Sequence, residues 1–164
     1  MTSVSPKPKP KGLDSPLVPK LLKRAAAVNV WVYRRTNGRL MGKLRIGAAF
    51  PQGVPICLLG HTGRKSGQVR TTPLLFLPDG DRVVIVASQG GLPKHPQWYL
   101  NILADPDVTV QVRGDVRRMR ARTATPSERA ELWPRLVDLY ADFASYQSWT
   151  DREIPVVLCE PVAG

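Results

Sequence analysis

Between His61 and Gln68 the chain reads His-Thr-Gly-Arg-Lys-Ser-Gly-Gln, with Arg70 just beyond. The stretch brings together cations Arg64 and Lys65, the Ser66 hydroxyl, and glycines Gly63 and Gly67. Such a loop suits an anion, because Arg and Lys make charge-assisted hydrogen bonds to phosphate or carboxylate and glycine frees backbone amides to point at a ligand. It is not a P-loop: Leu59 and Arg64 stand where that motif requires glycine, and a strand follows it rather than a helix. A solvated cationic hairpin tip is the other reading of the same residues. A second stretch runs from Ala87 through Ser88, Gln89, Gly90 and Gly91 to Pro96, Gln97, Trp98, Tyr99 and Asn101. Its glycines would let a ligand approach the backbone, and a helix opening near Pro96 would present its positive end. Trp98 and Tyr99 could equally be core anchors. The third stretch spans residues 140–152, where Tyr140, Phe143, Tyr146 and Trp149 fall close together. They could close over a flat ring, with a tyrosine hydroxyl donating to a developing oxyanion, or simply pin a helix end to the body.

Other chemistries lack candidates. His61 and His95 have no metal-ligand spacing to each other or to a cysteine, which favours structural or surface roles. Cys57 and Cys159 sit inside apolar, strand-like runs, so buried thiols are expected rather than a disulfide framework. No serine lies in a G-x-S-x-G elbow and neither cysteine has an adjacent base, so there is no candidate nucleophile.

Short apolar runs must position these stretches: 54–59, 69–77, 82–88, 108–113, 116–123 and 154–160. Pro78-Asp79-Gly80-Asp81 and Gly114-Asp115 are too short to cross between parallel strands, so each joins an antiparallel pair. One helix is expected over 96–104. A second starts at Thr125-Pro126-Ser127-Glu128, a capping box with proline at the first helical position, and Trp133, Leu136, Val137 and Tyr140 form its expected inward stripe. Pro134 should bend it. The expected architecture is mainly β with α: a six-stranded, partly open antiparallel barrel with helices covering its openings.

The chain has 164 residues and a formal charge of +11, enough for one ordinary domain. Residues 1–45 hold 11 basic side chains and one acid, Asp14, so the rest is nearly neutral. Within that segment residues 1–16, with alternating Pro and Lys (PKPKPK), read as a disordered basic tail. Residues 17–45 read as a basic amphipathic helix and connector, with Leu17, Leu21, Ala25, Val28 and Val32 at helical spacing and Asn37-Gly38 as the stop. Residues 46–164 form the barrel domain. The helix could dock on the core or lie on an anionic membrane surface. There is no zinc-finger, RNP-like or helix-turn-helix pattern, so no nucleic acid is expected. With no apolar run of membrane-spanning length and no apolar signal core, a cytoplasmic protein is expected, peripheral at the inner face of the membrane if the helix binds lipid.

From Asn29 to Pro161 the chain resembles the deazaflavin-dependent nitroreductase family of the flavin/deazaflavin split-barrel oxidoreductases. TGRKSGQVR, VASQGGLPKHPQWYLN and YQSWTDREIPVVLCEP carry the resemblance, in that order. It implies a split β-barrel that binds reduced coenzyme F420, whose phospholactyl-oligoglutamate tail is anionic. It assigns Arg64, Lys65, Ser66, Gly67, Gln68 and Arg70 to the coenzyme, chiefly its phosphate and glutamyl end. It has Ser88, Gln89, Trp98 and Asn101 lie beside the deazaflavin or shape its pocket. Ser88, Tyr140, Phe143 and Tyr146 fall in the substrate pocket, where a quinone or another activated acceptor such as a nitroaromatic or enone takes the hydride. Phe143 and Gln89 depart from the prodrug-activating pattern, which has tyrosine and lysine there; the missing hydroxyl implies weak nitroimidazole turnover. The alternatives are a split-barrel enzyme using FMN and a non-catalytic carrier of the deazaflavin.

Overall fold

Apolar side chains alternate along the strands and so divide them into an inward and an outward face. The computed structural model describes residues 5–12, 15–40, 42–44 and 53–163. In chain order it contains α1 (Leu17–Thr36), β1 (Lys43–Leu44), β2 (Val54–Thr62), β3 (Val69–Asp79), β4 (Arg82–Val86), a 3-10 turn (Gln89–Gly91) and α2 (Gln97–Ala104). β5 (Asp107–Val112), β6 (Asp115–Thr123), α3 (Pro126–Leu139), α4 (Asp142–Ser148) and β7 (Val156–Pro161) follow. The strands pair antiparallel in the order β2, β3, β4, β7, β6, β5, and β5 returns to β2. The ring is therefore a closed six-stranded barrel where the sequence suggested a partly open one. Where the ring closes, Gly60 of β2 faces Thr109 of β5, and a Cβ at Gly60 would collide with the Thr109 hydroxyl unless that side chain turned away. The two-residue β1 adds to the outer edge of β2 and was not foreseen.

Inward residues Cys57, Leu59, Ile85, Val110, Met119, Val157 and Cys159 form one core with Trp98, Tyr99 and Ile102 of α2. The outward faces of β4 and β7 (Val84, Val86, Val156, Leu158) are covered by Leu132, Leu136, Tyr140 and Phe143 of the α3–α4 region. Each such aliphatic side chain contributes roughly 1.5–3 kcal/mol on full burial. Both cysteines are buried free thiols, and burial pushes Cys159 up to about 12 and Cys57 higher still.

The capping box is present: the Thr125 hydroxyl accepts from the Glu128 amide at 3.3 Å, and the Thr125 amide donates to the Glu128 carboxylate at 2.8 Å. Hydrogen bonds from Arg122 and from Thr125 hold the Glu128 carboxyl down to about 2. The helix runs through Pro134, and Leu132, which the expected stripe omitted, is buried beside Leu136 and Tyr140, with Trp133 and Val137 partly buried against the same cluster. The half-buried Trp133 ring also carries the Arg129 guanidinium, 4.4 Å from the centroid.

α1 ends as expected, with Asn37 and Gly38 in the left-handed region at φ 49° and 71°. Its C-terminal turn docks through buried Tyr33, whose hydroxyl donates to the Ile56 carbonyl at 3.0 Å and accepts from the Arg113 amide at 2.6 Å. Leu17, Leu21, Val28 and Trp31 remain 62–67% exposed, so the apolar face of the helix is not packed on the core. The Lys7 amide donates to Ser145 Oγ at 3.0 Å, its carbonyl accepts from Trp149 Nε1 at 2.6 Å, and its ammonium pairs with Asp142 at 2.7 Å. An extended Pro-Lys backbone has no internal hydrogen bonds, which leaves these groups available to α4. Residues 1–4, 13–14 and 164 of the expected tail, helix and barrel segments lie outside the described residues, as do 41 and 45–52 around the connector boundary.

The register places the loops at two opposite ends. The 63–68 loop, the 87–106 segment and the 124–155 segment leave from one end; the turns at Gly80 and Gly114 mark the other. All three chemically suggestive stretches therefore share one end of the barrel.

Candidate functional site

The 63–68 loop is tightly closed on itself. The Gly63 amide donates to the Gln68 carbonyl at 2.8 Å, and the Gly63 carbonyl accepts from the amides of Ser66 at 3.2 Å and Gly67 at 2.7 Å. The Gln68 amide donates to Ser66 Oγ at 3.3 Å. These bonds correct the expectation of outward-pointing amides: Ser66, Gly67 and Gln68 spend their N–H groups inside the turn. Gly67 supplies the left-handed conformation at φ 68°. What the loop offers an anion is side chains: exposed Arg64, Lys65 and Arg70, and the Ser66 hydroxyl.

Arg64 is held in place. Its amide and Nη1 both donate to Asn101 Oδ1, at 3.2 and 3.0 Å, and Nη2 donates to Gln97 Oε1 at 3.0 Å. A guanidinium has five N–H groups, so several are left for a ligand. Asn101 is only 4% exposed, and its amide nitrogen lies 3.1 Å from Nδ1 of His61, itself 4% exposed. The structure thus makes Asn101 a link between β2 and the loop and sets it back from the surface. Burial first, and Arg70 second, lower His61 to about 4, so its imidazole is neutral. Trp98 is 6% exposed and belongs to the barrel core, as its packing reading anticipated.

The Ser88–Gly91 segment turns sharply, with Gln89, Gly90 and Gly91 at φ 46°, 63° and 77°. Glycine is required at 91 on two counts, since a Cβ there would also lie 2.8 Å from the Tyr146 carbonyl oxygen. That contact joins the turn to α4, where Tyr140, Phe143 and Tyr146 cluster with ring centroids 5.0–6.3 Å apart. Tyr140 and Phe143 are buried and Tyr146 is half-buried, so Tyr146 is the member of the three that a ligand can reach. The Tyr140 and Tyr146 hydroxyls are 3.0 Å apart. Burial, then Tyr146, raises Tyr140 well above the ordinary phenol range and keeps it protonated. Replacing Gly91 with Ala is expected to cost about 2 kcal/mol, from left-handed strain and overpacking. Urea denaturation checks this, and an unchanged midpoint would show that the turn does not rest on α4.

Arg152 was not singled out from the sequence. Its guanidinium donates to the carbonyls of Ser88 at 2.8 Å, Leu92 at 3.0 Å and Ala87 at 3.2 Å, and lies 3.3 Å from His95 Nδ1. These partners are neutral, and desolvation lowers its pKa. It fixes the course of the 87–95 segment, and a lone arginine after an aromatic run carries no signal of that. Among the described residues no cluster of metal-ligating side chains occurs.

Residues 25–161 match the family described as F420H(2)-dependent quinone reductase. The chain belongs to that family. A putative F420H(2)-dependent quinone reductase of Mycobacterium tuberculosis is 49% identical over 118 residues, covering 72% of this chain and 99% of the relative. An F420H(2)-dependent quinone reductase of the same organism is 42% identical over 130 residues, covering 77% and 83%. Among solved structures, an F420-H2 dependent reductase is 43% identical with a TM-score of 0.61, over 65% of this chain and 94% of that one. Another, described as a domain-swapped dimer, is 37% identical with a TM-score of 0.62, over 81% and 99%. As a quinone reductase of this family, the chain is an oxidoreductase whose cofactor is reduced coenzyme F420. Its residues fit that group: exposed Arg64 and Lys65 on the loop, with exposed Arg70 just beyond it in β3, suit a polyanionic tail, and half-buried Gly90, with nothing within 4 Å of where a Cβ would stand, leaves room at the turn for a flat ring.

Proposed function

We propose that reduction takes place at the loop-bearing end of the barrel. Arg64, Lys65, Ser66 and Arg70 hold the phosphate and glutamyl end of reduced coenzyme F420, while Ser88 and Gln89 lie beside its ring. Tyr146, backed by Tyr140 and Phe143, faces a quinone. The observation that supports this most is the linkage of the three segments: α2 holds Arg64, Gly91 touches Tyr146, and Arg152 fixes the turn between them. Gly67 and Gln68 shape the loop, and Trp98 and Asn101 support the site from within.

When bound, the reduced coenzyme supplies a hydride for the acceptor. The protein's part is to hold two rings in register and exclude water, which favours transfer by orientation. Tyr140 shares a hydrogen bond with Tyr146, and Asp142 further favours its protonated form, so a neutral Tyr140 backs the Tyr146 hydroxyl that faces the oxygen gaining charge. Phe143 contributes a ring and no hydroxyl. Mixing protein with reduced coenzyme and menadione should restore the oxidised deazaflavin absorbance in a protein-dependent way, with a nitroimidazole reduced far more slowly. No protein-dependent oxidation would reject the reading, and equal rates would reject the role given to Phe143.

The exposed apolar face of α1 supports a peripheral position on the cytoplasmic side of an anionic membrane. Leu17, Leu21, Val28 and Trp31 fall within about 80° of the helix circumference, with Arg24 among them and Lys20 at their edge. No described helix is long and apolar enough to cross a membrane. Leu21→Glu with Trp31→Glu should abolish flotation with anionic liposomes; undiminished flotation would contradict the proposal.

A further inference from the structure

We propose that His61 is a positioning residue for coenzyme binding, acting through Asn101 on Arg64. This rests on the reading that Arg64 holds the anionic tail. His61 lies one residue before the end of β2, opposite Arg70, and is buried. Nε2 lies 3.0 Å from Thr72 Oγ1 and Nδ1 lies 3.1 Å from the Asn101 amide nitrogen. An amide nitrogen only donates, so Nδ1 must be the accepting nitrogen, and the ring carries its hydrogen on Nε2, donating to Thr72. That tautomer anchors the Asn101 NH2 group inward, leaving Oδ1 as the common acceptor for the Arg64 backbone amide and Nη1. Gln97 holds the second guanidinium nitrogen. A histidine with no direct access to a ligand thus fixes the height of the loop and the direction of its first cation.

Without the imidazole acceptor, the Asn101 NH2 would be buried and unpaired, a costly state that the side chain escapes by rotating. Rotation withdraws Oδ1 and releases Arg64. Affinity for a long-tailed coenzyme should fall while contacts to the tricyclic ring persist.

The test compares coenzyme F420 with its tail-free deazaflavin chromophore, by fluorescence titration of the wild type, His61→Leu, His61→Gln, Arg64→Ala and the His61→Leu/Arg64→Ala double variant. His61→Leu should weaken coenzyme binding about tenfold, and the double variant should be no weaker than Arg64→Ala alone. His61→Gln, which can accept from Asn101 and donate to Thr72, should recover most of the affinity. The tail-free chromophore should bind all of them alike. Additive losses, equal weakening of both ligands, or full affinity in His61→Leu would overturn the relay. If Arg64→Ala itself changes nothing, the reading of Arg64 fails and the relay with it; if only His61→Leu changes nothing, the relay alone fails. Should His61→Leu not fold, nitrogen NMR of the wild type decides: protonated Nε2 with bare Nδ1 is expected, and the opposite tautomer overturns the proposal.

Discussion

Replacing Arg64 and Lys65 together with alanine is expected to weaken binding of long-tailed coenzyme F420 by about a hundredfold and to leave the tail-free chromophore nearly untouched. A hydrogen bond to a charged group contributes about 1.5–3 kcal/mol, so losing two such contacts from a solvent-facing loop reaches this size even after screening. The loop should survive the change. Its closure comes from the backbone bonds of Gly63 with Gln68, Ser66 and Gly67, none of which uses the substituted side chains. Because Ser66, Gly67 and Gln68 spend their amides inside the turn, no backbone nest remains there to compensate for the lost cations. Added salt should reproduce part of the loss in the wild type. Isothermal titration with both ligands checks the prediction; equal weakening of the two would place the tail elsewhere.

The second large effect is on stability. His61 has a folded pKa of about 4 against an ordinary 6.5. Between those values the unfolded chain binds more protons than the folded one, so stability rises with pH through this window and is lost as pH falls from 6.5 toward 4. Above it His61 contributes no pH dependence. From about pH 7.5 to about pH 4.5 the loss amounts to about 2–3 kcal/mol. The charges around the ring are Arg70 on β3, which disfavours protonation, and Asp107, Arg118 and Arg120, which line the same groove from β5 and β6. Asp107 is paired with Arg120 at 3.5 Å, so it does not reverse the sign. Asp79 and Glu128, whose carboxyls are held low by arginines, also lose stability in acid, but they do so in any His61 variant. Urea denaturation of wild type and His61→Gln at both pH values isolates the histidine. The variant should lose about 2–3 kcal/mol less, and parallel pH profiles would mean that His61 is not buried as a neutral ring.

Local signals fixed much of this architecture in advance. The Gly80 and Gly114 turns, the capping box at Thr125 and the stop at Asn37-Gly38 each act within a few residues, so their consequences could be read from the chain. Gly60 carried a signal that was missed: an isolated glycine inside an apolar strand marks a crowded crossing, here where the Thr109 side chain of β5 lies over β2 as the barrel closes. Trp133 packs against the core as its period suggested, but the more deeply buried Leu132 was not foreseen, nor the Arg129 guanidinium over the indole. The site was legible as three stretches but not as a network. Asn101 binds residues 37 and 40 positions away, Arg152 reaches back 57–65 positions, and Lys7 meets α4 about 140 residues later in the chain. No local pattern encodes such pairings, because they follow from which strands the barrel makes neighbours.

A crystal structure of the protein with coenzyme F420 tests the central claim most directly. The account predicts the tail phosphate or a glutamyl carboxylate within hydrogen-bond distance of Arg64, Lys65 or Arg70, with the tricyclic ring between the Ser88–Gly91 turn and Tyr146. A tail bound away from Arg64, Lys65 and Arg70, or a ring lodged at the opposite end of the barrel, would contradict it.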